Sequence, residues 1–186
     1  MKIALIRHGQ PDIEFKGKIL HTEFKNWLDK YDCAAVEEKN PAPDSLRKDV
    51  ENYELFICSD LKRSISSFNL LNINKLPVVD PLFRECELPC WSRGAFHCRA
   101  DILVIVYRLM WLLGASANCE SKSAAVERAK QCADNLVELA KTHRSVAFVG
   151  HGFLNRFIAS SLSERGWLGP GRPGKGYWSH DVYELR

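Results

Sequence analysis

Lys2-Ile3-Ala4-Leu5-Ile6-Arg7-His8-Gly9 begins as an apolar run and ends in a cation, an imidazole and a glycine. Two later stretches repeat the pattern: Leu55–Cys58 leads into Ser59 and Asp60, and residues 145–149 lead into Gly150, His151 and Gly152. Runs this short, apolar on both faces and bounded by polar residues, are what a parallel sheet covered on two sides requires. Residues 78–80 offer a fourth strand and residues 181–185 a closing edge strand. Helical spacing fills the intervals. After Ser59, read as an N-cap with Asp60 in the first turn, Leu61, Ile65, Phe68 and Leu71 recur with a helical period. So do Val126, Ala129, Ala133, Leu136 and Ala140, and again Leu154, Phe157, Ile158 and Leu162. Residues 101–113 are apolar nearly all round, which predicts a buried helix. Alternating strands and helices predict a three-layer α/β/α domain with a mostly parallel, mixed sheet.

The chain has 186 residues, 46% of them hydrophobic and 26% charged, without an internal linker tract, so residues 1–186 are read as one domain. A net charge of +3 is too weak a field to mark a nucleic-acid or membrane partner. The longest apolar stretch carries Arg108 and falls short of the roughly 18–20 residues that span a bilayer. The first residues lack the pattern of a signal peptide, so a cytoplasmic protein is expected. Seven cysteines cannot all pair within one molecule, and reduced thiols are expected. Cys86, Cys90, His97 and Cys98 come nearest to a zinc pattern, but adjacent His97 and Cys98 fit a tetrahedral site poorly, so no metal is assigned.

In open α/β sheets, ligands sit at the carboxyl ends of the strands, where helix N-termini also converge. That geometry predicts a shared pocket for Arg7, His8, Ser59, Arg63 and His151, with free backbone N–H groups at Gly9 and Gly152. Two arginines, two imidazoles and several amides suit a dianionic phosphoryl group. Arg63, four residues into its predicted helix, would lean back toward the strand ends. A neutral His8 is a competent nucleophile toward phosphorus, and neighbouring cations would keep it neutral. A positive His151 would offset charge on the transferring oxygens. The leaving oxygen needs a proton, for which Glu85 is the first choice and Glu87 the reserve. Gln10, Ser59 and His180 complete the candidates, His180 because it opens the last strand.

Arg7-His8-Gly9, Ser59-Asp60-Leu61-Lys62-Arg63-Ser64, Leu82-Phe83-Arg84-Glu85 and Gly150-His151-Gly152 stand in the order and spacing of four signatures of the histidine phosphatase superfamily. On these residues the chain resembles that phosphoglycerate-mutase-like family over nearly its whole length. Glu120-Ser121 with Arg128 is similar to a weaker family element. The resemblance implies a phosphohistidine at His8, phosphoryl binding by Arg7, Arg63 and His151, and Glu85 as general acid and then base, with no cofactor. It implies a phosphorylated small molecule or phosphoprotein as substrate. The chain departs from the family where many members carry an Asn shortly after the first motif, here Asp12, Ile13 and Glu14. It departs again after the acid, where Leu88-Pro89-Cys90-Trp91 replaces a Gly-x-Trp-Glu-Gly segment.

The short chain favours hydrolysis over mutase-type phosphotransfer and leaves little for a cap, so an open pocket is expected, with selectivity from residues 86–99. A pseudo-enzyme that only binds a phosphorylated ligand is the third reading, opposed by the full set of catalytic side chains. Arg84, Arg93 and Arg99 are read as solvated surface cations. Residues 169–175 have P-loop spacing, but Gly176 stands where Ser or Thr would meet magnesium, and no strand precedes them. They are read as a Gly/Pro loop. His21, His97 and His143 remain unassigned.

Overall fold

The structure is a computed structural model that describes residues 1–14 and 17–185. Its elements in chain order are β1 (Lys2–Arg7), β2 (Lys18–Leu20), α1 (Phe24–Asp32), α2 (Asp44–Val50), β3 (Leu55–Cys58), α3 (Lys62–Leu70) and β4 (Val78–Val79). They continue with β5 (His97–Arg99), α4 (Ala100–Leu112), α5 (Lys122–His143), β6 (Ser145–Gly150), α6 (Gly152–Glu164) and β7 (His180–Glu184). The main sheet runs β4-β3-β6-β1-β7, parallel except for β7, which pairs antiparallel with β1.

Side chains of a strand alternate between faces, and here both faces are dry. Ile3, Leu5, Ile57, Val146 and Phe148 pack in one cluster with Ala129 and Ala133 of α5 and Leu154, Ile158 and Leu162 of α6. Ala4, Ile6, Phe56, Cys58, Ala147 and Val149 face the other way, onto Leu46 and Val50 of α2 and Phe68 of α3. This double coverage is the α/β/α arrangement that the continuous apolar runs predict, because no strand face is left for polar residues.

Two expectations need correction. The helix after β3 does not begin at Ser59: its N-cap is Leu61, and Arg63 is in the first turn rather than four residues in. Ser59 is freed for another partner. The second concerns α4, which buries only Ala100, Leu103, Tyr107, Arg108 and Trp111, while Ile102, Ile105, Val106, Leu109 and Met110 are exposed. A single helix packed on one side cannot bury a full circumference, however apolar its sequence.

α4 also shows where chain length is spent. Phe24 and Trp27 of α1 pack with Cys90, Ala100, Leu103 and Tyr107 in a third cluster apart from the sheet. The short β2 and β5 pair antiparallel beside it. The chain therefore does carry a small cap, contrary to the expectation from its length. Residues 86–99 are part of that cap's packing, with Cys86 and Cys90 buried in different clusters. All seven cysteines are free thiols, and among the described residues no group of three or more His, Cys, Asp or Glu is placed to hold a metal ion. His21 belongs to the cap as well, buried and stacked on Phe96 with ring centroids 4.2 Å apart.

Candidate active site

The strand order brings the polar tails of three strands together. β6 lies between β1 and β3, with Arg7 opposite Gly150 and Cys58 opposite Val149, so His8, His151 and Ser59 emerge side by side. The imidazoles of His8 and His151 are both buried, with ring centroids 5.2 Å apart. His8 Nδ1 lies 2.7 Å from the carbonyl oxygen of Gly9. A carbonyl only accepts, so the proton sits on Nδ1 and the lone pair on Nε2. The Gly9 N–H in turn donates to Ser67 Oγ at 2.9 Å, which holds the glycine and its carbonyl in place.

Ser59 Oγ lies 2.7 Å from His151 Nε2 and accepts a long 3.4 Å bond from the Leu61 N–H. His151 Nδ1, on the other side of the ring, is a buried atom with no partner. Arg7 Nε and Arg63 Nε are also buried without an acceptor. The Gly152 backbone is close by, since a Cβ at that residue would lie 3.4 Å from Arg7 Nε. In this first turn of α6, the Phe153 and Leu154 N–H groups donate to Glu85 and that of Asn155 to the His151 carbonyl.

Electrostatics follows from this crowding. Burial, then the neighbouring His151 and Arg63, hold the His8 pKa well below the ordinary imidazole value. Burial, then Arg63 and Arg7, hold His151 well below it too. Two guanidiniums so close oppose the positive charge that the sequence reading expects on His151. Burial alone would raise the pKa of Glu85. The Arg108 guanidinium and the backbone N–H groups of Cys86, Phe153 and Leu154 outweigh burial and hold the carboxyl below its ordinary value. The three bonds measure 2.9 Å, 3.1 Å and 2.9 Å.

Arg7, Arg63 and Glu85 line a cavity of about 720 Å³ whose farther walls come from α1 and α4; the buried His8 and His151 adjoin these groups without lining it. Glu87 also lines it, with one carboxylate oxygen accepting from the Glu120 N–H at 2.6 Å. His180 is directed elsewhere, to Asp49 at 3.1 Å. Gln10 is exposed, with Asn40 as its side-chain neighbour. Of the expected surface arginines, Arg84 is held by Asp60 at the cavity edge and Arg99 by Asp101 outside it.

Other parts of the site carry no motif. Asp32, at the end of α1, bonds Arg63 Nη1 at 2.9 Å, and the Tyr31 ring stacks on that guanidinium with the cation 4.5 Å from its centroid. The loop before β7, set aside as a Gly/Pro connection, crosses the pocket: the Lys175 carbonyl accepts from Arg7, and Tyr177 stacks on both Arg7 and His8. Arg108 is legible in retrospect as a lone cation in an apolar helix. It donates to the Cys86 and Glu87 carbonyls at 2.6 Å and 2.9 Å, fixing the segment that carries Glu85.

Fold and site together define an α/β protein that gathers two arginines and two histidines at the carboxyl ends of its strands. The histidine phosphatase superfamily (branch 1) model matches residues 3–172, and the chain belongs to that superfamily. Membership supports a phosphatase or phosphotransferase activity. No curated protein sequence matches the chain. Among solved structures, it is similar to a mycobacterial glucosyl-3-phosphoglycerate phosphatase, at 19% identity and a TM-score of 0.61 over 97% of this chain and 88% of that one. It is also similar to a phosphoserine phosphatase mutant from Entamoeba histolytica, at 15% identity and a TM-score of 0.60 over 100% and 91% of the two chains. At such identities the likeness is one of fold. Among the described residues no helix is long and apolar enough to cross a membrane.

Proposed function

We propose that the protein, acting as a single domain, hydrolyses phosphate monoesters through a phosphohistidine at His8, with its own side chains and no cofactor. The observation that carries this reading is a pair of buried donors without acceptors, Arg7 Nε and Arg63 Nε, with the unpartnered His151 Nδ1, beside an imidazole whose free lone pair is on Nε2. Buried donors without partners are costly, and a bound dianion would satisfy both.

The His8 Nε2 lone pair attacks phosphorus as the bond to the leaving oxygen breaks. Arg7, Arg63, His151 and the Gly152 backbone hold the phosphoryl oxygens, and Ser59 orients the His151 ring; the Gly9 N–H, expected to join them, is instead taken by Ser67. Glu85 gives its proton to the departing alkoxide. It then takes a proton from water, whose oxygen attacks phosphorus, breaks the P–N bond and returns His8 to its neutral form. Glu85 is held as a carboxylate here, so it must gain its proton in the complex, where the neighbouring phosphoryl dianion raises its pKa.

The test is turnover of an aryl phosphate in the presence of a chelator, followed by a quench for acid-labile, base-stable phosphate on the His8 peptide. Full turnover by His8→Ala or Arg63→Ala overturns the assignment. Products from 3-phosphoglycerate, with and without bisphosphate, separate hydrolysis from transfer.

A further inference from the structure

The cavity is far larger than a phosphoryl group, and volumes in this range hold drug-sized ligands. Its walls beyond the catalytic groups come from α1 and α4. Trp27, Leu28 and Tyr31 form one side and Ile105, Leu109 and Leu112 the other. The α4 residues recur at a spacing of four and three, a single stripe about 10 Å long. Ile105 is 61% exposed and Leu109 57%, so the stripe is not consumed by packing.

Most of the polar residues of the same cavity are committed to the protein. Arg84 pairs with Asp60, Arg128 with Glu120, and Lys25 with Asp29. Arg108 is bound to two carbonyls, and Glu87 to the Glu120 N–H. Asn118 donates to the Cys90 carbonyl, and Arg156 stacks on Phe153. A hydroxyl-rich alcohol would lie against aliphatic carbon with few free partners, which is unfavourable. An apolar alcohol would remove the exposed stripe from water.

Resting on the phosphatase reading, we propose that the preferred substrate is the monophosphate ester of an apolar alcohol, its phosphoryl group at His8 and its hydrocarbon in the groove between α1 and α4. The anionic head and apolar tail match a basic, buried end that is continuous with an apolar wall.

The experiment is the kcat/KM of ethyl, butyl, hexyl and octyl phosphate, beside glycerol phosphate and glucose phosphate. The expected result is a rise of about two- to fourfold for each added methylene, as its burial supplies up to about 0.8 kcal/mol. Ile105→Asn and Leu109→Asp should flatten that slope and lower octyl phosphate turnover about tenfold, with ethyl phosphate nearly unchanged. Leu113→Ser, at the end of α4 and outside the cavity, should leave the slope intact. A flat series, or polar phosphates preferred over butyl phosphate, overturns the proposal while the phosphatase reading stands. So does a Leu109→Asp protein with an unchanged slope whose sedimentation shifts from dimer to monomer, which would make the stripe an interface between copies. If no monoester is hydrolysed, the phosphatase reading fails. The groove is then judged by thermal shift: stronger stabilisation by octylphosphonate than by ethylphosphonate supports it, and equal stabilisation overturns it.

Discussion

The two ends of the cavity are built by opposite means. At the strand ends His8, His151, Ser59 and Arg63 are buried, and the central groups are fixed by hydrogen bonds: His8 by Gly9, His151 by Ser59, and Glu85 by three amides. Along α1 and α4 the cavity wall is formed by Leu28, Ile105, Leu109 and Leu112, apolar and partly exposed. Directional bonds fix positions to a fraction of an ångström, as bond making demands. Apolar contact accepts many shapes, as recognition of a hydrocarbon allows. Substitutions at the first end should therefore lower kcat on every substrate, and those at the second should alter KM in a substrate-dependent way.

The largest effect belongs to His8→Ala, expected to lower turnover on every phosphate at least a thousandfold, about 4 kcal/mol of barrier. A residual rate that varied with the hydrocarbon would blur the division. Glu85→Gln comes next. Loss of general acid catalysis should cost about 10²- to 10⁴-fold on alkyl phosphates. The first-step burst on p-nitrophenyl phosphate should be largely spared, because that leaving group needs little proton assistance. Equal losses on both would show that Glu85 acts by position or charge.

Arg108 joins the two ends, since it rises from α4 and stacks on Phe153 beside Glu85. Arg108→Met removes the first of the influences that lower the Glu85 pKa, so that pKa rises. The acid form then persists to higher pH, and the alkaline limb of the kcat profile moves upward. Two carbonyls lose a charged donor, at about 2–4 kcal/mol of stability read by denaturant melts. A depressed carboxyl pKa contributes stability above the ordinary carboxylate value that is lost as pH falls through the folded one. The variant should therefore lose less of its remaining stability in acid. An unmoved limb would detach Arg108 from the chemistry.

The smallest change is Asp32→Asn. Asp32 competes with substrate for Arg63 but is half exposed, so its removal should lower KM no more than about fivefold for all esters alike. A change confined to long-chain esters would move Asp32 to the groove side of the comparison.

The chain-order pattern of apolar runs ending in Arg7-His8, Ser59 and Gly150-His151 was enough to read the parallel sheet and the meeting of these residues at one end of it, because strand ends in such sheets converge by topology. Glu85 was readable from its place after the next strand. Asp32, Tyr177 and the Lys175 carbonyl were not, because each reaches the site through a loop or helix with no periodic signal. A misreading arose the same way: Ser59 looks like an N-cap until His151 is beside it.

By itself, then, the order of residues determined the sheet, its covered faces and which groups meet at its edge, since alternation and strand-end convergence are properties of the local chain. Only the tertiary structure decided that α4 leaves an apolar stripe in the open, that burial and two guanidiniums push the His151 pKa down, and that the strand ends continue into a groove. Those depend on which faces meet and how much charge is already present, quantities that exist only after distant segments have packed.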